Sequence, residues 1–272
     1  MALIARRQLL DHAATPAARQ RSIRSGFSGV MDRSLKEDAM APASCEYNVA
    51  VTREVVKFSP AVGVPVEGEL GCLRSLETDK ASEEDAVGAE CQLTHDQTLT
   101  DPQKTKDFVA QAGMDALAIA IGTSHGVYKL TRPPIGDSLA TDRMVAIHQV
   151  ISNTHLVMHR SSSVPQGWLA ISREHGGDIK ETCSVPVEEM VRGIQGGVRK
   201  LNIGIDIRLA MTGAMRRTMA KNPGEFDPRK FFKDATVAAK EFCQARFQLV
   251  GCAGMAGKIV PLPLEKMIAR YA

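Results

Sequence analysis

From Phe27 onward the chain alternates short apolar runs with longer segments of helical period, and Pro, Gly, Asp or Ser falls at the junctions. The pattern predicts repeating βα units. Strands are expected from Phe27 to Met31, Val62 to Leu70, Ala116 to Ile121, His155 to Met158 and Val198 to Ile205. Helices are expected from Tyr47 to Val56, Pro102 to Ala112, Asp142 to Ile151, Pro165 to Glu174, Pro186 to Ile194 and Ile207 to Ala220. Pro102, Pro165 and Pro186 each fall near a first helical turn, where a missing N–H costs little. Two more helices, from Pro228 to Val250 and from Pro263 to Tyr271, close the chain. Before Phe27, a short amphipathic helix from Leu3 to Ala14 is expected, with Leu3, Leu10 and Ala14 on one face.

Strands rich in Val, Ile, Leu and Ala on both faces imply a parallel sheet covered by helices, either a barrel or a doubly wound sheet. No G-x-G-x-x-G or Walker loop follows the first strand, so the barrel leads. In such folds chemistry gathers at the carboxyl ends of the strands. Asp32 follows the first expected strand, Glu67 and Glu69 close the second, His125 follows the third and His159 the fourth. Asn202 and Asp206 mark the fifth. Two imidazoles and a carboxylate arriving from separate strand ends match the N/O ligand set of a catalytic zinc. Each residue also has a plainer role: Asp32, Glu67 or Glu69 can pair with a Lys or Arg, and Asn202 can bond loop backbone. His95, His148 and His175 have no partners in view and are read as surface residues.

Ser161, Ser162 and Ser163 enter a helix, where hydroxyls and backbone N–H groups can hold an anion or simply cap the helix. The acidic stretch from Asp79 to Glu90 reads as a solvated loop, and Glu84 on it can act as a base once the loop closes over substrate.

Composition narrows the function classes. Thirty-four Lys+Arg against 31 Asp+Glu leave a formal charge of +3, too mild and too evenly spread for a nucleic-acid partner. No apolar run approaches the ~18–20 residues of a membrane span. The six cysteines show no C-x-x-C pair or regular spacing, so neither a zinc knuckle nor a disulfide framework is suggested, and reduced thiols in the cytosol are the simplest reading. The N-terminal thirty residues are rich in Ala and Arg with Asp11 the single acid, which superficially matches an organellar presequence; the amphipathic helix is the reading taken for them.

The helix Tyr47 to Val56, the stretch Val66-Glu-Gly-Glu-Leu-Gly-Cys72, the stretch Ile121-Gly-Thr-Ser-His-Gly-Val-Tyr-Lys129 and the strand His155-Leu-Val-Met-His159 resemble class II, metal-dependent fructose-bisphosphate aldolase, closest to the branch of the bacterial Calvin cycle and glycolysis. The resemblance implies an α/β fold, the TIM (β/α)8 barrel, in a cytoplasmic homo-oligomer with zinc as cofactor. The substrate it implies is a phosphorylated sugar, fructose 1,6-bisphosphate, cleaved reversibly to dihydroxyacetone phosphate and glyceraldehyde 3-phosphate. It makes His125 and His159 zinc ligands, and Asp32 and Glu69 carboxylates of an alternative metal position. It makes Glu84 the loop carboxylate that moves a proton on the triose carbon. Gly126, Ser161, Ser162 and Asn202 become the dihydroxyacetone-phosphate seat, and Arg246 the arginine that reaches the other phosphate.

The chain departs from the family near Ala14 and Thr15, where it passes straight from the opening helix to the helix before the family's fourth strand. The expectation is therefore one incomplete barrel domain over residues 1–272, truncated to roughly five βα units plus C-terminal helices. The family segment absent there carries the first zinc histidine and the aspartate acid/base. Arg160 stands where the family has glycine, Gly204 and Ile205 replace Asp and Thr, and Val30-Met31-Asp32-Arg33 is one residue short of the family's strand. Two functions follow: a zinc-dependent aldolase, or a non-catalytic remnant that binds metal or phosphate weakly or associates with a full-length paralogue.

Overall fold

The computed structural model describes residues 9–10, 15–31, 44–70, 99–121, 139–159, 161–179, 185–258, 260, 263, 265–266 and 269. Six parallel strands form one sheet in sequence order: β1 (Leu9–Leu10), β2 (Gly29–Met31), β3 (Val66–Leu70), β4 (Ala116–Ile119), β5 (His155–Met158) and β6 (Val198–Leu201). Among the described residues eight α-helices connect and follow them: α1 (Pro16–Arg24), α2 (Cys45–Phe58), α3 (Pro102–Ala112), α4 (Thr141–Val150), α5 (Gln166–Glu174), α6 (Val187–Gln195), α7 (Ile205–Lys221) and α8 (Pro228–Leu249). Strand order equal to chain order, with a helical crossover between strands, is the connectivity of a barrel wall.

Local chemistry sets the boundaries. Thr15, Ser44, Asp101 and Asp227 each accept an N–H of the first turn of α1, α2, α3 and α8, and Pro occupies the first position of α1, α3 and α8. Three expectations are corrected. Leu9–Leu10, placed in an opening helix, pairs in parallel with Gly29 and Val30 as a strand, which adds one strand to the five expected. Val62 belongs to a 3-10 turn, Pro60–Val62, so β3 starts only at Val66. Ile205 begins α7, and β6 stops at Leu201. The closing helix expected from Pro263 to Tyr271 falls largely outside the described residues.

The strands alternate between two environments. On the helix side, Leu117, Ile119, Leu156, Met158 and Val198 pack with Phe108 of α3 and Met144 and Ile147 of α4 in the main core. Fully burying a side chain of this kind contributes about 1.5–3 kcal/mol. Gly68 on that side admits the close approach of Met114 and Phe108, whose atoms lie 2.5 and 3.3 Å from where a Cβ would stand. On the other face Met31, Ala118 and Val157 form a small apolar floor; strand alternation puts Glu67, Glu69 and His159 on the same face, and the register shift between β5 and β6, which pairs Val157 with Lys200, brings Lys200 there as well. At the opposite strand ends Asp115 accepts the Val66 N–H at 2.9 Å and ties β3 to β4. No helix among the described residues is long and apolar enough to cross a membrane.

Candidate functional site

The inner face holds one ionisable cluster. Glu67 reaches over β4, whose Ala116 and Ala118 are too small to block it. It meets His159 just past β5 and Lys200 of β6. Its Oε1 lies 2.9 Å from His159 Nε2, and Lys200 Nζ donates to its Oε2 at 2.7 Å. The side chains of Glu67 and His159 are 4% and 2% exposed, so both partners are held out of water. Burial pushes the Glu67 carboxyl up, but the hydrogen bond to His159 and the charge of Lys200 outweigh it and leave the group below the ordinary carboxylate range. Asn202 places its Nδ2 3.3 Å from His159 Nδ1 and 3.1 Å from Nε2. Glu69, also buried, stands two residues along the same strand on the same face. Asn48 of α2 donates to the Glu69 backbone carbonyl at 3.4 Å.

A second polar assembly forms where the β5 loop meets α7 and α8. Asp206, fully buried in the first turn of α7, accepts the Ser163 N–H (2.8 Å), the Ser163 hydroxyl (3.0 Å) and the Val164 N–H (2.8 Å). Arg246 of α8 donates to Ser163 Oγ at 2.7 Å and approaches Asp206 at 3.4 Å, its guanidinium 4.8 Å over the Phe242 ring. These bonds hold Val164 at φ 51°, a left-handed conformation strained for a β-branched residue. Its side chain packs with Leu169 and Leu209. Ser162 Oγ accepts the Ile205 N–H at 3.2 Å and supplies from outside the cap that Gly204 cannot. Ser161 is pinned at both ends: its hydroxyl donates to the Met158 carbonyl at 3.0 Å and its N–H to the Asn202 carbonyl at 3.0 Å.

Of the residues singled out in the sequence, the structure brings Glu69, His159 and Asn202 to the inner face, and Ser161, Ser162 and Arg246 to the adjoining loop. Asp32, Glu84, His125 and Gly126 lie outside the described residues. Among the described residues no three His, Cys, Asp or Glu side chains converge as a metal cage. Sequence reasoning left Lys200 out. No signal marks it in the sequence: it stands beside Arg199 in Val198-Arg199-Lys200-Leu201, and only the register shift between β5 and β6 sets it against Val157. His148, read as a surface residue, has its Nδ1 buried, and its ring fills the space beside Gly197, where a Cβ would stand 2.6 Å away and φ is +119°.

A parallel α/β sheet wrapped on one side by helices, with ionisable groups gathered on the other side, defines a domain of barrel-enzyme type. The model of the family described as fructose-bisphosphate aldolase class-II matches residues 8–255, and the chain belongs to that family. A fructose-bisphosphate aldolase of Pseudomonas aeruginosa is 59% identical over 263 residues, covering 96% of this chain and 74% of its own length. One from Xanthobacter flavus is 60% identical at the same coverage, and a fructose-bisphosphate aldolase class 2 of Synechocystis is 53% identical, with 96% and 73% covered. Among solved structures, a putative fructose-1,6-biphosphate aldolase from Coccidioides immitis superposes with a TM-score of 0.65 at 24% identity, over 92% of this chain and 73% of that one. The YdjI aldolase of Escherichia coli K12 gives 0.60 at 22%, over 92% and 70%. These two likenesses are of fold.

Proposed function

We propose that this chain is a cytoplasmic class II fructose-bisphosphate aldolase that uses zinc to split fructose 1,6-bisphosphate reversibly into dihydroxyacetone phosphate and glyceraldehyde 3-phosphate. The observation that carries this reading is the buried His159, set against Glu67 just past β5, in a chain 59% identical to an aldolase. The donors fit a divalent metal in kind. His159 has its Nε2 on the Glu67 carboxylate, and Glu69 is a buried carboxylate on the same face. His125 and Asp32 are the further ligands in this reading. When bound, the metal supplies Lewis acidity to the ketose carbonyl.

The chain's own residues position the substrate and move its protons. Ser161, Ser162 and Asn202, with Gly126, seat the dihydroxyacetone phosphate where the β5 loop faces the N-terminus of α7, an end that favours an anion. Arg246 brings cationic charge toward the other phosphate. Glu84 moves the proton on the triose carbon. Residues 1–272 act as one aldolase barrel domain lacking the family segment near Ala14 and Thr15, and the chain works as a homo-oligomer.

The test is aldol cleavage by the purified, zinc-loaded full chain, coupled to a triose-phosphate readout, with metal content measured on the same sample. Turnover that disappears on chelation is expected. A folded chain that carries stoichiometric zinc yet releases no triose phosphate overturns the reading and leaves the non-catalytic remnant in its place.

A further inference from the structure

Glu67 and Lys200 are given no role of their own above, yet they make close polar contacts on the inner face. Each Glu67 oxygen has a different charged or polar partner: Oε1 faces His159 Nε2 at 2.9 Å and Oε2 faces Lys200 Nζ at 2.7 Å. An ionised carboxylate only accepts, so the facing nitrogen of the ring carries the proton. The lone pair of a neutral His159 ring is then on Nδ1. The Asn202 amide nitrogen lies 3.3 Å from Nδ1 and 3.1 Å from Nε2, and as a donor it can bond only the ring nitrogen without a proton, Nδ1. The three residues come from β3, from the end of β5 and from β6, so the sheet itself fixes their spacing.

We propose that Glu67, anchored by Lys200, is a positioning residue that locks the His159 ring with its proton on Nε2 and its Nδ1 presented to a divalent metal. Lys200 takes the oxygen that His159 does not use, which stops the carboxylate from rotating away from the ring. Glu69, on the same strand face, has the complementary task of offering its own oxygen. The inference rests on the aldolase reading only for what Nδ1 meets; the ring's tautomer is a property of the chain itself.

The experiment uses the metal-free full chain, labelled with nitrogen-15, as parent, Glu67→Gln, Lys200→Met and Lys200→Arg. The imidazole nitrogens of His159 are read by NMR, and cobalt(II) is titrated into each protein and followed by its ligand-field absorption. The parent is expected to show the Nε2–H tautomer. Glu67→Gln and Lys200→Met, with folding checked by circular dichroism, are expected to bind cobalt ~10- to 100-fold more weakly, the range seen when the supporting partner of a metal-bound histidine is lost. Lys200→Arg, which keeps the charge, is expected to recover most of that loss. A parent with its proton on Nδ1, a parent that takes up no cobalt, or folded Glu67→Gln and Lys200→Met proteins with unchanged cobalt affinity each overturn the proposal. A parent that binds cobalt through the expected tautomer but cleaves no fructose 1,6-bisphosphate removes the aldolase reading and leaves this one standing.

Discussion

Two regions of this molecule bury polar groups, and they do so in opposite ways. At the junction of the β5 loop with α7 and α8, Asp206 satisfies backbone N–H groups of Ser163 and Val164, and Ser162 caps α7. On the inner face, Glu67, His159 and Lys200 satisfy one another, side chain to side chain, from three different strands or strand ends. A carboxylate bonded to backbone holds a chain path and has little freedom to serve a ligand. A carboxylate bonded to an imidazole and an ammonium orients groups that can themselves act on one. At the junction Asp206 therefore fixes the loop path that carries Ser161 and Ser162, while on the inner face the charged side chains orient one another.

The largest effect is expected from cutting the junction. Asp206→Ala orphans the N–H groups of Ser163 and Val164 and takes from Arg246 its carboxylate partner, and should lower unfolding free energy by about 3–5 kcal/mol in urea titration. An unchanged midpoint would erase the contrast between the regions.

Acid tests the inner face. Because the folded Glu67 carboxyl lies below its ordinary value, its stabilisation is present in full above the unfolded pKa of ~4.3 and is lost as pH falls through the lower folded value. Parent and Glu67→Gln should differ in stability near neutral pH and converge in strong acid. A gap that stays constant with pH would deny Glu67 its charged partnership.

Ser162→Ala should cost about 1 kcal/mol, the usual worth of a helix cap, read from the same urea titrations. The smallest change in stability is expected from Lys200→Met, under ~1 kcal/mol, since the lysine is partly solvated. Its weak effect on folding beside a clear effect on cobalt binding would sharpen the division.

Much of the wall was legible in the sequence. β5 matches its expected bounds and α3 does too, because Asp101-Pro102 and Gly113 punctuate the helix and an apolar run bounds the strand. Leu9–Leu10 was misread because a two-residue strand has no period of its own; only its nonlocal pairing with Gly29 and Val30 makes it one. Within the site, the parity of Glu67 and Glu69 and the position of His159 after a strand could be read directly. The Glu67–Lys200 pair could not, since it spans three strand boundaries and depends on register across β4 and β5. Asp206 was visible as a strand-end acid, but its task depends on a loop some forty residues earlier that only the fold returns to it.

The central claim is that His159, supported from behind by Glu67, is a ligand of a divalent metal on the inner face. Isothermal titration of zinc into the metal-free chain and into His159→Ala tests it most directly. The account predicts one site per chain in the parent and binding at least ~100-fold weaker in a folded His159→Ala, beyond the ~10- to 100-fold expected from losing its supporting carboxylate. Equal zinc affinity in the two proteins would contradict it.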